Sequence, residues 1–168
     1  MDTKLDVTGT RSILSSLDEY RMAVAEIAKH AHRSLSIYTP NLEPLLKLGQ
    51  MSQTLPERLV LARGHARLRV LISDPARVAR EGNRFMQMAR RLTSFIELRN
   101  VPPEYRSNPA AFIIADSSAI AYRQQCTRWE GIVEMNDQQV VKRYLAYFDE
   151  VWAVSIIQPE LRATAIDF

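Results

Sequence analysis

Short apolar runs with a two-residue period alternate along this chain with longer runs of helical period, and that alternation confines it to folds in which helices cover a sheet. Ser16-Leu17-Asp18-Glu19 has capping-box spacing, and Tyr20, Val24, Ile27 and Ala28 share one face, so residues 16–32 are expected to form an amphipathic helix. Ser34 to Tyr38 alternates as a strand and stops at Thr39-Pro40. A helix beginning at Thr54-Leu55-Pro56-Glu57 and ending near Gly64 precedes a second strand, Leu68 to Ile72. In that strand Leu68, Val70 and Ile72 share a face opposite Leu71.

Asp74-Pro75 opens a helix expected over residues 75–93, with Val78, Phe85, Met88 or Ala89, and Leu92 on its buried side. Phe95 to Val101 reads as a strand broken by Pro102-Pro103. Phe112 to Ala115 and Ala119 to Arg123 read as strands joined by the turn Asp116-Ser117-Ser118, followed by a strand from Gly131 to Met135. The closing helix runs to about Ala153, with Val141, Leu145, Phe148 and Trp152 as its apolar stripe. The expected class is α/β, a mixed sheet flanked by helices.

A chain of 168 residues fits one domain, with residues 1–15 as a flexible N-terminal segment. Apolar content of 46% and charged content of 24% fit a globular protein rather than a disordered or fibrous one. The chain has no basic start followed by an apolar run and no stretch of about 20 apolar residues, so a cytoplasmic protein without a membrane span is expected. The lone Cys126 excludes an internal disulfide. Five scattered glycines make no phosphate-cradling loop, and no cofactor is expected.

Charge is uneven. Residues 58–99 carry ten Arg against three acids, whereas residues 1–57 carry six Lys or Arg against seven acids and residues 100–168 six against nine. The surplus in the middle third is entirely arginine, the side chain suited to forked contacts with phosphate or carboxylate. On the helix of residues 75–93, Arg77, Arg80, Arg84 and Arg91 occupy the side opposite the apolar one. These four and Arg123 are the candidate anion-binding residues, against the plain alternative of a solvated helix face.

The segment Pro109-Ala110-Ala111-Phe112-Ile113-Ile114-Ala115-Asp116 resembles the signature strand of the phospholipase D superfamily, which reads His, any residue, Lys, four further residues, Asp. Anchored on Asp116, that pattern puts Pro109 where the family has its nucleophilic His and Ala111 where it has its phosphate-binding Lys. The order of elements and the ending Phe148-Asp149-Glu150-Val151-Trp152 are similar to one half of such a domain. The resemblance implies pairing with a second half, hence a homodimer or another partner, and marks Glu130 as the remnant of an acid that supports the His. It also implies a bacterial half-domain whose motif is degenerate.

With Pro109 and Ala111 at those positions, no catalytic residue is expected: proline supplies no nucleophile, and alanine no charge for a phosphoryl group. His30 and His32, two positions apart, do not share a helical face, His65 lies in a turn beside Gly64, and Cys126 has no neighbouring His, so no metal site is expected. The expected function is an inactive phospholipase D-like module binding nucleic acid or another anionic ligand. The alternatives are a regulatory domain that recognises a neighbouring enzyme and an altered phosphodiesterase using Asp116, Glu130 or Arg123.

Overall fold

The computed structural model describes residues 11–40, 67–81 and 96–157. Among these, eight strands form one mixed sheet: β1 (Arg11–Leu14), β2 (Ser34–Thr39), β3 (Arg67–Ile72), β4 (Ile96–Asn100), β5 (Ala111–Ala115), β6 (Ala119–Arg123), β7 (Gly131–Glu134) and β8 (Ile156–Ile157), in the spatial order β1-β7-β6-β5-β2-β3-β4-β8. Among the described residues three α-helices accompany it: α1 (Leu17–His30), α2 (Pro75–Glu81) and α3 (Gln138–Val154). β2, β3 and β4 are parallel to one another; every other pairing is antiparallel. The expected class is therefore the observed one. The helix expected from Thr54 to Gly64 and the stretch of residues 82–93 lie outside the described residues.

The two faces of the sheet divide as the alternation predicts. Leu68, Val70 and Ile72 join Ile37, Ile113 and the buried side of α1, namely Tyr20, Val24, Ile27 and Ala28, in one core. Val78 of α2 belongs to the same layer. Leu71 joins Tyr38, Phe112, Ile114 and Ile120 in a second core beneath Val141, Phe148 and Val151 of α3. Ser16 caps α1 by accepting from the Glu19 backbone N–H at 3.1 Å, while the Glu19 carboxylate reaches back to the N–H of Ser15 at 2.7 Å. That is capping-box logic displaced by one residue.

Of residues 1–15, the segment expected to be flexible, residues 11–15 are described and 11–14 form a strand. Arg11–Leu14 is an edge strand paired with β7, its Leu14 is buried, and Arg11 lies in register with Glu134. The Glu134 carboxylate is buried under the Arg11 guanidinium at 3.2 Å, a pairing that a buried acid requires.

Close approach of β6 and β7 explains Gly131. A Cβ there would sit 2.5 Å from the Tyr122 carbonyl oxygen and 3.0 Å from the Arg123 Cγ. Gly131→Ala is expected to cost about 1–3 kcal/mol as the strands are forced apart. A urea denaturation midpoint unchanged from the parent protein would contradict this packing.

Candidate functional site

Two clefts adjoin at Gln124, on the face of the sheet that carries α3. One, of about 380 Å³, lies between the start of β5, the end of β6 and α3; Phe112, Tyr144 and Tyr147 form its apolar walls, and Asn108, Gln124 and Arg143 its polar ones. The other, of about 310 Å³, continues past Gln124 and Gln125 to Tyr122, Arg128, Glu130 and Ile132. Arg128 and Arg143 are exposed, and among the described residues Arg143 has no hydrogen-bond or ion-pair partner.

The aromatic walls are held by packing. The Tyr144 ring lies 4.8 Å from that of Tyr122 and 5.3 Å from that of Phe112, and the Tyr147 ring lies 5.8 Å from that of Tyr38. Burial pushes the Tyr144 phenol above its ordinary pKa; Tyr122 adds to the rise and Arg143 opposes it. Its hydroxyl therefore stays protonated at neutral pH and can donate.

The motif positions Pro109 and Ala111 flank the first cleft without lining it. Ala111 is buried on the opposite face, directly across from Arg123, and Pro109 is exposed just before the strand. The Pro109 carbonyl accepts from the Cys126 N–H at 2.7 Å, so the loop after β6 folds over this strand end. Arg123, one of the candidate anion-binding residues, is only 2% exposed. Its guanidinium lies 4.5 Å from the Tyr20 ring centre and 4.6 Å from that of Trp129, and donates to the carbonyls of Cys126 and Arg128. This placement takes it away from the surface anion site: it is a buried cation that secures a loop.

Asp116 stands at the far end of β5, seven residues from Pro109 and thus roughly 20 Å away at strand rise. Its backbone adopts φ 55°, a left-handed turn conformation that Asp tolerates better than most residues. Its carboxylate accepts from the N–H groups of His32, Arg33 and Ser34 at 3.2, 2.8 and 3.0 Å, tying the end of α1 and the start of β2 to the β5 corner. Asp116 and Arg123 lie at opposite ends of the β5–β6 ladder and are not brought into one site. Glu130 is exposed at the rim of the second cleft.

Of the arginine stripe, Arg77 sits in α2 partly exposed, and the residue 80 position lies in the same helix; Arg84 and Arg91 lie outside the described residues. Two other arginines of the basic third hold α3 to the sheet. Arg69 lies 4.8 Å from the Phe148 ring centre and pairs with Asp149 at 2.9 Å. Arg99 lies 4.3 Å from the Trp152 ring centre and donates to the Trp152 carbonyl at 3.0 Å, where a cation complements the helix C-terminus. Sequence reasoning misses both these roles and the residues of the cleft. The available signal is the interleaving of Lys142 and Arg143 with Tyr144 and Tyr147, which the apolar stripe of the same helix masks.

Among the described residues no group of three or more His, Cys, Asp or Glu side chains could hold a metal ion, and no helix is long and apolar enough to cross a membrane. A family model described as a domain of unknown function, DUF7931, matches residues 16–164. The chain belongs to this family. No curated protein matches the DUF7931 chain.

Among solved structures, this DUF7931 domain is similar to TrmBL2, an archaeal chromatin protein, with a TM-score of 0.64 at 13% identity. The similarity covers 94% of this chain and 57% of that one, so the chain spans little more than half of the archaeal protein. It is also similar to Nuc from Salmonella typhimurium, a phospholipase D family member, with a TM-score of 0.56 at 15% identity over 89% of this chain and 97% of that one. NucT from Helicobacter pylori gives a TM-score of 0.56 at 10% identity, with 89% and 99% covered. The fold is therefore phospholipase D-like.

The Asp116 contacts yield a test. Asp116→Ala leaves three backbone donors without their acceptor and is expected to cost about 2 kcal/mol; Asp116→Asn, which keeps one acceptor oxygen and tolerates the turn, should cost less. Thermal unfolding of the two variants checks the order, and equal stability of Asp116→Ala and the parent would contradict the tie.

Proposed function

We propose that this domain binds nucleic acid without cleaving it, as a phospholipase D-like module whose catalytic motif is degenerate. The observation that carries the reading is a concave surface bearing unspent cations beside a strand end that has no reactive group. Pro109 and Ala111, at the positions that the resemblance gives to a nucleophile and a phosphate-binding lysine, can neither form a phosphoenzyme nor neutralise a phosphoryl group. Arg123 does not substitute for them, because backbone carbonyls and two aromatic rings already hold it.

Arg128 and Arg143, in contrast, are exposed along the two clefts, where a guanidinium can take phosphate oxygens in forked contacts. The likeness in fold to a chromatin protein whose structure shows a mode of DNA binding supports nucleic acid as the anion. In this reading the single half-domain pairs with a second copy, as the resemblance implies.

Fluorescence anisotropy of labelled oligonucleotides across a salt series tests the proposal, with a denaturing gel of the recovered strands. Binding is expected to weaken steeply with salt, Arg128→Ala with Arg143→Ala to flatten the logarithmic salt slope by roughly 1–2, and the strands to remain intact. Absence of binding at low ionic strength, or cleavage above a protein-free control, would overturn it.

A further inference from the structure

Resting on that reading, we infer that the cleft between β5, β6 and α3 accepts a single strand of nucleic acid, with one base stacked on the Tyr144–Tyr147 wall and the adjoining phosphate held by Arg143. The cleft volume, about 380 Å³, lies toward the lower end of the range of small-molecule sites. Its aromatic walls are already ordered. Tyr144 is braced by Tyr122 and Phe112, and Tyr147 by Tyr38 and Tyr105, so stacking a base there immobilises little that is free beforehand.

The polar groups of the cleft suit a base and its phosphate. The Asn108 Oδ1 accepts from the Ala110 N–H at 3.0 Å, which fixes that side chain and leaves its NH₂ to donate. Gln124 is exposed where the two clefts meet and offers both a donor and an acceptor to a base edge. Arg143, without a partner among the described residues, supplies the cation, and the second cleft extends the path toward Arg128.

A duplex does not fit this arrangement, because its base faces are hidden between neighbouring pairs. Stacking on tyrosine needs an unstacked base. Aromatic walls alternating with arginine are the features by which single strands are held with little sequence preference. The cleft adjoins the strand end through Asn108, Ala110 and Phe112, but neither Pro109 nor Ala111 lines it, and the Ala111 side chain belongs to the opposite face.

The test compares three probes of equal length in fluorescence anisotropy at low salt: a single DNA strand, the same strand with abasic sites, and the duplex. The single strand is expected to bind more tightly than the duplex, and removal of the bases to weaken it on the order of tenfold. Tyr144→Leu should abolish the difference between intact and abasic strands while leaving the salt slope, and Arg143→Ala should lower the salt slope while leaving that difference. Equal affinity for intact and abasic strands would overturn the inference while leaving nucleic-acid binding in place. Failure of every probe to bind would overturn both. The abasic comparison needs no variant, so it stands even where Tyr144→Leu fails to fold.

Discussion

Burial of β5 on both faces is the constraint from which the rest of the structure follows. The strand pairs with β2 on one side and β6 on the other, and all five of its residues are buried. Phe112 and Ile114 pack under α3, whereas Ile113 and Ala115 pack on the α1 side, so the strand joins the two cores. A strand in this position tolerates apolar residues throughout and expels unpaired charge, since a buried ion without a partner costs several kcal/mol, of order. Ala111 satisfies that rule. The small side chain also lies across the ladder from Arg123, and the Arg123 guanidinium rests against the rings of Tyr20 and Trp129.

Charge in this domain is divided between two settings. Arg69, Arg99 and Arg123 act inward, bracing α3 and the loop after β6 through ring faces, backbone carbonyls and the Asp149 carboxylate, while Arg99 also pairs with Glu97 of its own strand. Arg128 and Arg143 instead lie exposed along the clefts. The Asp116 carboxylate is likewise structural: it collects three backbone donors at the corner where α1 passes into β2. A net charge of +3 conceals this division.

Much of the fold was legible because its signals are local and periodic. The two-residue alternation from Leu68 to Ile72 assigns each side chain to its face, and Tyr20, Val24, Ile27 and Ala28 mark the buried side of α1. β1 was not legible, since Arg-Ser-Ile-Leu is short and its pairing with Glu134 spans most of the chain. β8, two residues long, depends in the same way on a distant partner, β4. The site was less legible than the fold. Whether an arginine faces water or a tryptophan depends on how α3 docks, which no local pattern encodes, and Tyr144 and Tyr147 look like core residues of a helix until the cleft beside them is seen. Asp116 was readable as a turn residue; its capture of the His32, Arg33 and Ser34 N–H groups was not.

In the nucleic-acid-binding reading proposed above, the working surface is the aromatic cleft and the motif strand is scaffold. Titration of isotopically labelled protein with a short single DNA strand, followed through backbone amide NMR shifts, tests it most directly. Saturable shifts centred on Gln124, Arg128, Arg143 and Tyr144 are expected, with the corner of His32, Arg33 and Asp116 unmoved. Shifts centred on that corner or on the arginine stripe of residues 77–91, with the cleft silent, would contradict it.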